Sequence, residues 1–145
     1  NLVLPDNRQC KILLRFRFRK SMTMPAAADT TLLDLTERIR AFAKARDWEQ
    51  FHAPKNLAMA IACEASELME HFLWTDTEES HALCLDAAKR TEVAQELADV
   101  LIYALRLADV AGFDATKEIL AKMNRNEERY PVEKAKGSSA KYDEL

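Results

Sequence analysis

Glycine, proline and long apolar runs are scarce in this chain of 145 residues. It contains 2 glycines and 4 prolines, too few for the many tight turns of a β-sandwich or an antiparallel barrel. No apolar run approaches the roughly 18 residues that a membrane-spanning helix needs. The length suits one domain with a sizeable core. We therefore expect an all-α protein with no membrane partner.

Cysteine is also sparse, and the three cysteines follow no recognisable pattern. Cys10, Cys63 and Cys84 form no disulfide framework and match no zinc-binding spacing. Such cysteines are typical of reduced thiols in a reducing compartment, so the sequence predicts a cytoplasmic protein. The net charge of -3 argues against a nucleic-acid-binding domain, and we expect no nucleic-acid partner.

Positive charge is concentrated at the N-terminus. Residues 1–20 contain six lysines and arginines but one aspartate, so this segment has a net charge of +5. Because the whole chain has a net charge of -3, the remaining residues together carry -8. The segment lacks the clear apolar region and the cleavage site of a secretion signal. We expect residues 1–29 to be a disordered basic tail, with Met22 or Met24 as an alternative start of translation.

Signals for helix starts and stops divide residues 30–131, the predicted helical domain, into four long helices. The starts are marked by capping side chains or a first-turn proline: Thr30 or Thr31, Pro54, Thr91 and Asp114. The predicted helices end near Arg46, near Trp74, at Gly112 and before Pro131. Residues 47–52 and 75–89 are predicted loops, the second with at most a short turn, and residues 132–145 a predicted extended tail. Four helices with short connections favour a bundle.

Two pairs of carboxylates lie inside the apolar stripes of the second and third predicted helices. Glu64 and Glu67 form one pair, and Glu96 and Asp99 form the other. A spacing of three residues places both acids of a pair on one helix face. Lone carboxylates are rarely buried, because the loss of hydration costs far more than a hydrogen bond returns. Four acids at the edge of a core therefore require a cation, and oxygen ligands suit Mg²⁺ or Mn²⁺.

The acid pairs have three alternative interpretations besides a Mg²⁺ or Mn²⁺ site. An acid pair can belong to a solvated helix face, but two pairs on two helices, both in phase with the core, oppose this reading. A di-iron bundle needs Glu-x-x-His on two of its helices, but His71 has no glutamate three residues before it, and His52 and His81 lie outside the two acid pairs. A non-catalytic nucleotide-binding or protein-interaction module would explain the amphipathic helices but not the two acid pairs.

Aromatic residues accompany the acids. Trp74 lies seven residues after Glu67, Tyr103 lies four after Asp99, and Trp48 in the preceding loop could add a further wall. Rings beside a metal suit a ligand with a charged end and a flat end, with phosphates on the metal and a base between the rings. Ordinary core packing is the alternative role for each ring.

In these residues the chain resembles the all-α nucleoside triphosphate pyrophosphatases related to MazG, and most closely their dCTP pyrophosphatase branch. The family motif E-x-x-E followed by E-x-x-D is matched by Glu64, Glu67, Glu96 and Asp99. Further similar stretches lie at residues 46–52, 99–103, 129–131 and 139–142. The resemblance runs from about Leu32 to Leu145 and leaves out the N-terminal tail.

The resemblance implies Mg²⁺-dependent cleavage of dCTP, or of a related pyrimidine deoxynucleotide, to the monophosphate and pyrophosphate. It implies that the four acids are catalytic and bind the metal, and that Trp48, Trp74 and Tyr103 enclose the base and sugar. It implies three phosphate-binding residues on the last helix: Lys122, Asn126 and Arg129. It also implies a homo-oligomer, either a tetramer or a dimer. One departure is Ile39, where vertebrate members carry a histidine that helps line the nucleotide pocket.

Overall fold

Residues 29–144 are described in the computed structural model, and within this range the chain forms helices and no β-strand. The predicted all-α class is therefore confirmed. The α-helices are α1 Leu32–Lys44, α2 Pro54–Glu70, α3 Thr77–Leu85, α4 Ala87–Ala111, α5 Ala115–Arg129 and α6 Val132–Ala135. A short 3₁₀ helix, Glu49–Phe51, lies between α1 and α2. The predicted basic tail falls outside the described residues, apart from Asp29.

Local capping explains the starts of α1 and α5 and the C-terminal end of α4, which agree with the sequence prediction. The Thr31 hydroxyl accepts from the Asp34 N–H at 3.2 Å, and the Asp34 carboxylate accepts from the Thr31 N–H at 2.8 Å, which is a reciprocal capping box. The Asp114 carboxylate accepts from the N–H three residues later at 3.0 Å. Gly112 follows α4 with a φ of 73°, a left-handed conformation that glycine adopts without strain.

The prediction of a loop over residues 75–89 is wrong, because α3 occupies most of it. Asp76 accepts from the Glu79 N–H at 2.9 Å, and the Glu79 carboxylate accepts from the Asp76 N–H at 3.1 Å. These two hydrogen bonds form a second capping box, which starts α3 despite its polar composition. The 3₁₀ turn at Glu49–Phe51 likewise replaces part of the predicted loop over residues 47–52.

Two further boundaries differ from the prediction. The carboxylate of Asp86, and not the hydroxyl of Thr91, caps α4, because it accepts hydrogen bonds from the backbone N–H groups of Ala88 at 3.1 Å and Lys89 at 2.9 Å. The Thr91 hydroxyl instead donates to the Ala87 carbonyl inside the helix. Helix α2 ends at Glu70 rather than at Trp74, because the following residues form turns. Residues 132–135 are helical, so the predicted extended tail is wrong there.

The chain divides into two compact units, one ending at Ala111 and the other beginning at Gly112. In the first unit, α4 packs most extensively along α2 and also contacts α1 and α3. Leu57, Ala60 and Tyr103 form a buried core cluster, with Ile61 and Leu107 packed against it. This core joins α2 to α4, so the two helices that carry the acid pairs pack side by side.

Among the described residues, none of the helices combines the length and apolar character needed to cross a membrane. Among the cysteines of the described residues, Cys84 is a free, exposed thiol, as expected. Cys10 lies outside the described residues.

Candidate functional site

Three of the four predicted acids come together between α2 and α4. Glu64 on α2 and Glu96 and Asp99 on α4 each offer a carboxylate oxygen, and these oxygens all lie within 4.8 Å of one another. The helical spacing sets Glu96 beside Asp99, while the packing of α2 on α4 adds Glu64. Clustered carboxylate oxygens are the ligands that a hard divalent cation prefers.

Glu64 is the most deeply buried acid of this cluster, with 2% of its surface exposed. Its Oε1 has no hydrogen-bond partner, which is uncommon for a buried polar atom. Burial, together with the charges of Asp99, Glu67 and Glu96, raises the pKa of Glu64 to about 8. A cation beside Oε1 would satisfy the oxygen and offset the repulsion. The donor set therefore fits a metal ion.

Glu67 lies at the edge of the cluster and is not one of the three acids whose oxygens converge. It is half-buried, like Glu96 and Asp99. Burial raises the pKa of Glu96 and of Asp99, and the charge of Glu67 is the next largest cause at both. All four acids thus share one electrostatic site, in which Glu67 has a different position from the other three.

Tyr103 lies one turn beyond Asp99 on α4 and is buried. Burial raises the pKa of its hydroxyl, and the charges of Glu64 and Asp99 raise it further. The tyrosine is therefore neutral and within electrostatic reach of the acids. The structure places Tyr103 next to the acidic cluster, where its spacing predicted it.

The two tryptophans lie in different surroundings. Trp48 is half-buried and packs edge-to-face against Phe42 of α1, with ring centroids 5.8 Å apart at 74°. Trp74 lies in the turns after α2 and is 93% exposed. Because α2 ends at Glu70, the predicted helix end near Trp74 is wrong, and Trp74 does not lie on the helix that carries Glu67. Its contact with a base stays a prediction.

The residues predicted to contact phosphates lie on α5, in the second unit. Lys122, Asn126 and Arg129 follow one another at spacings of four and three, so they share one face of α5. The Arg129 guanidinium lies 4.8 Å from the centre of the Tyr142 ring, and the Tyr130 ring meets the same ring edge-on at 6.2 Å. The role of these three residues toward phosphates stays a prediction.

A buried polar network one turn beyond Tyr103 was not predicted. Arg106 is 4% exposed, and its Nε donates to Nδ1 of His52, also buried, at 3.1 Å. The remaining guanidinium nitrogens pair with Asp109 on α4 and, at 3.6 Å, with Glu49. The network links α4 to the connection between α1 and α2.

The sequence does contain a signal for Arg106. One face of α4 carries polar residues at spacings of three, four and three: Glu96, Asp99, Tyr103 and Arg106. Its partner His52 could not be predicted in the same way, because the two residues are 54 positions apart.

Residues 59–145, which include all four acids, match the model of the MazG-like family. The chain is 40% identical over 119 residues to dCTP pyrophosphatase 1 of Bos taurus, covering 82% of this chain and 70% of the relative. It is 41% identical over 117 residues to dCTP pyrophosphatase 1 of Homo sapiens, covering 81% and 69%. The crystal structure of a pyrophosphatase from Archaeoglobus fulgidus is similar with a TM-score of 0.65 and 36% identity, over 77% of this chain and 99% of that chain. As its acid motif predicted, the chain belongs to the MazG-like family.

Proposed function

We propose that this protein is a metal-dependent nucleoside triphosphate pyrophosphatase that hydrolyses dCTP to dCMP and pyrophosphate. The observation that carries the proposal is the convergence of Glu64, Glu96 and Asp99 around a buried oxygen that lacks a hydrogen-bond partner. The roughly 40% identity to dCTP pyrophosphatases over most of the chain supports dCTP as the substrate. The cytoplasm as its compartment and the sanitation of nucleotide pools as its role stay predictions.

Mg²⁺ is the metal that we propose for the acidic cluster. Glu64, Glu96 and Asp99 would hold it, because carboxylates together with substrate phosphates are its usual ligands in nucleotide enzymes. Bound Mg²⁺ would neutralise charge on the phosphates and lower the pKa of a water molecule that it coordinates.

The reaction breaks the bond between the α-phosphorus and the oxygen that bridges to the β-phosphate. Water attacks the α-phosphorus, and pyrophosphate leaves with the electron pair of that bond. We assign the role of proton acceptor to Glu67, because it lies beside the three converging acids without being one of them. Glu64 is the alternative acceptor.

Aromatic and basic side chains are proposed to bind the rest of the nucleotide. Trp48, Trp74 and Tyr103 would enclose the base and sugar, and the position of Tyr103 beside the acids supports this assignment. Lys122, Asn126 and Arg129 would contribute two positive charges and an amide to the phosphates. We also propose a homo-oligomer, a tetramer or a dimer.

A panel of deoxy- and ribonucleoside triphosphates tests this function. Each is incubated with the protein and Mg²⁺, and the products are separated into monophosphate, diphosphate, phosphate and pyrophosphate. We expect dCMP and pyrophosphate in equal amounts, and no turnover with excess chelator. Release of single phosphates, or turnover without metal, would contradict the proposal. The alternative, a non-catalytic helical module, predicts no turnover with any nucleotide.

A further inference from the structure

The connection between α1 and α2, residues 45–53, is named here the Trp48 turn. Asp47 has a φ of 55°, and the Trp48 N–H donates to the Ala43 carbonyl at 3.0 Å, which closes the C-terminus of α1. The Gln50 side-chain amide donates to the Asp47 carboxylate at 2.8 Å. These local hydrogen bonds shape the turn, but they do not attach it to α4.

Arg106 of α4 contacts the Trp48 turn at two points, the first residue of its 3₁₀ helix and the residue that directly follows that helix. Its Nε donates to Nδ1 of His52 at 3.1 Å, and its Nη2 lies 3.6 Å from Oε1 of Glu49. Glu49 directly follows Trp48 in the chain, and Trp48 is the N-cap of the 3₁₀ helix. Because Arg106 is nearly inaccessible to water, loss of these contacts would leave a buried charge without full compensation.

Arg106 is itself oriented by an ion-pair network. The Asp109 carboxylate, one turn along α4, accepts from Arg106 and also from Nε of Arg40 on α1 at 3.0 Å. Burial and the charge of Arg106 lower the pKa of His52, so its imidazole is neutral near pH 7 and Nδ1 can accept a hydrogen bond. The guanidinium group of Arg106 thus contacts Asp109 of α4 on one side, and His52 and Glu49 of the Trp48 turn on the other.

The site and the anchor of the Trp48 turn share one helix face. Asp99, Tyr103 and Arg106 follow at spacings of four and three on α4, and all three side chains are at least half-buried. A rigid helix therefore sets the distance between the acidic cluster and the residues that hold the turn. A change at Arg106 should move the turn relative to the acids without altering the acids themselves.

We propose that Arg106 is a positioning residue for nucleotide binding. By holding Glu49 and His52, it fixes the Trp48 turn against α4 and so keeps Trp48 in the orientation that encloses the base. This inference rests on the proposed function, which supplies the nucleotide. Arg106 acts through Trp48 and contacts neither the metal nor the reacting phosphate.

The test compares two substitutions of Arg106 with a matched control. Arg106→Met keeps the length but removes the charge and the fork, and Arg106→Lys keeps the charge alone. The control, Lys89→Met, removes an exposed cation from the same helix, where Lys89 pairs with Glu92 at 2.9 Å. The accessibility of Trp48 is measured by acrylamide quenching of its fluorescence in a Trp74→Phe background. Steady-state kinetics with dCTP and Mg²⁺ are measured without that background substitution.

We expect Arg106→Met to raise the quenching of Trp48 about twofold or more and to raise KM for dCTP about tenfold, with kcat within about threefold of the unmodified value. Arg106→Lys should give quenching and KM values between those of Arg106→Met and the unmodified protein. Lys89→Met should give the same values as the unmodified protein. If Arg106→Met does not fold, Glu49→Ala tests the same contact from the exposed side and should raise both quantities in the same direction.

Unchanged quenching or unchanged KM in a folded variant would overturn the inference. A fall in kcat that exceeds the rise in KM would also overturn it, because the residue would then act on the chemical step. Absence of dCTP turnover in the unmodified protein would instead refute the proposed function, and with it a role in nucleotide binding. These outcomes are distinguishable because the unmodified protein is measured first.

Discussion

The burial of Glu64 links the metal site to the stability of the protein. Its pKa of about 8 means that, between pH 4.5 and about 8, the metal-free folded chain binds a proton at Glu64 that the unfolded chain does not. Since the native state then holds more protons, the free energy of unfolding of the metal-free protein falls as the pH rises through this range. A metal ion that requires the carboxylate form should reverse this trend.

Glu64→Gln tests this linkage, because glutamine keeps the shape and cannot ionise. Without metal at pH 8, we expect the variant to unfold at a higher temperature than the unmodified protein, with the difference shrinking toward pH 4.5. With saturating Mg²⁺ the order should reverse, because only the unmodified protein gains binding energy from the ion. Thermal unfolding at pH 5 and pH 8, with and without Mg²⁺, measures both effects. A variant that Mg²⁺ stabilises as strongly as the unmodified protein would refute the metal site.

Trp74→Ala tests whether the exposed indole binds the base. Base–aromatic stacking is worth roughly 1–3 kcal/mol, which corresponds to a rise in KM of about 5- to 150-fold. We expect the loss of nucleotide affinity to appear mainly as a higher KM, because stacking precedes the chemical step. The variant should also discriminate less among the bases. Trp74→Phe, which keeps a ring, should retain part of the affinity.

Lys122→Ala is the contrasting variant, and it should weaken all nucleoside triphosphates alike, because every one carries the same phosphates. Kinetics with dCTP and a purine deoxynucleotide distinguish the two patterns. An unchanged KM and base preference in Trp74→Ala would assign this tryptophan to a structural role instead.

Helix α3 shows how a single cap can decide whether a polar segment is helical. It contains no buried residue, and its start depends on the reciprocal hydrogen bonds of Asp76 and Glu79. Its tertiary contacts are made mainly with α4. The stability of this helix should therefore respond to its cap more than the stability of α2, which contributes to the core.

Asp76→Ala should destabilise α3 by about 1 kcal/mol, the usual cost of losing an N-cap. We expect faster amide hydrogen exchange over residues 79–85, with little change over residues 57–64 of α2. Asp76→Ser, which can still cap, should exchange at close to the unmodified rate. Equal acceleration in α2 and α3 would show that the cap acts on the whole unit and not on one helix.

A single chain leaves many large apolar side chains exposed on the two carboxylate helices. Met59 and Met69 on α2, and Leu97 and Leu101 on α4, are each about half exposed. Leu97 and Leu101 lie one turn apart, away from the face that carries Asp99 and Tyr103. Exposed apolar patches of this kind mark interfaces between proteins, which agrees with the predicted homo-oligomer.

Light scattering at micromolar concentration tests the assembly. We expect the mass of a tetramer or a dimer, and a lower mass for Leu101→Glu, because a buried charge at an interface is costly. Circular dichroism must show that the variant keeps its helices. A monomeric mass for the unmodified protein would contradict the prediction of an oligomer.

Sequence alone was sufficient where the controlling interactions are local. The caps at Thr31 and Asp114, and the stop at Gly112, act within four residues, so their helices could be predicted from the chain. The acid pairs and the position of Tyr103 follow from helix periodicity in the same way. The loop predicted over α3 is wrong although the capping box of this helix is equally local, because the polar composition of the segment favours a loop and hides the signal at Asp76.

Only the tertiary structure decided what depends on how helices pack. Both acid pairs have the same spacing, yet packing of α2 on α4 buries Glu64 and leaves Glu67 at the edge. Trp74 lies outside α2, although the predicted helix extended to it, because the chain forms turns after Glu70. Arg106 and His52 meet across 54 positions, and no local rule specifies such a contact. The contact forms because a buried guanidinium needs polar partners, and Arg106 becomes buried only once the helices have assembled.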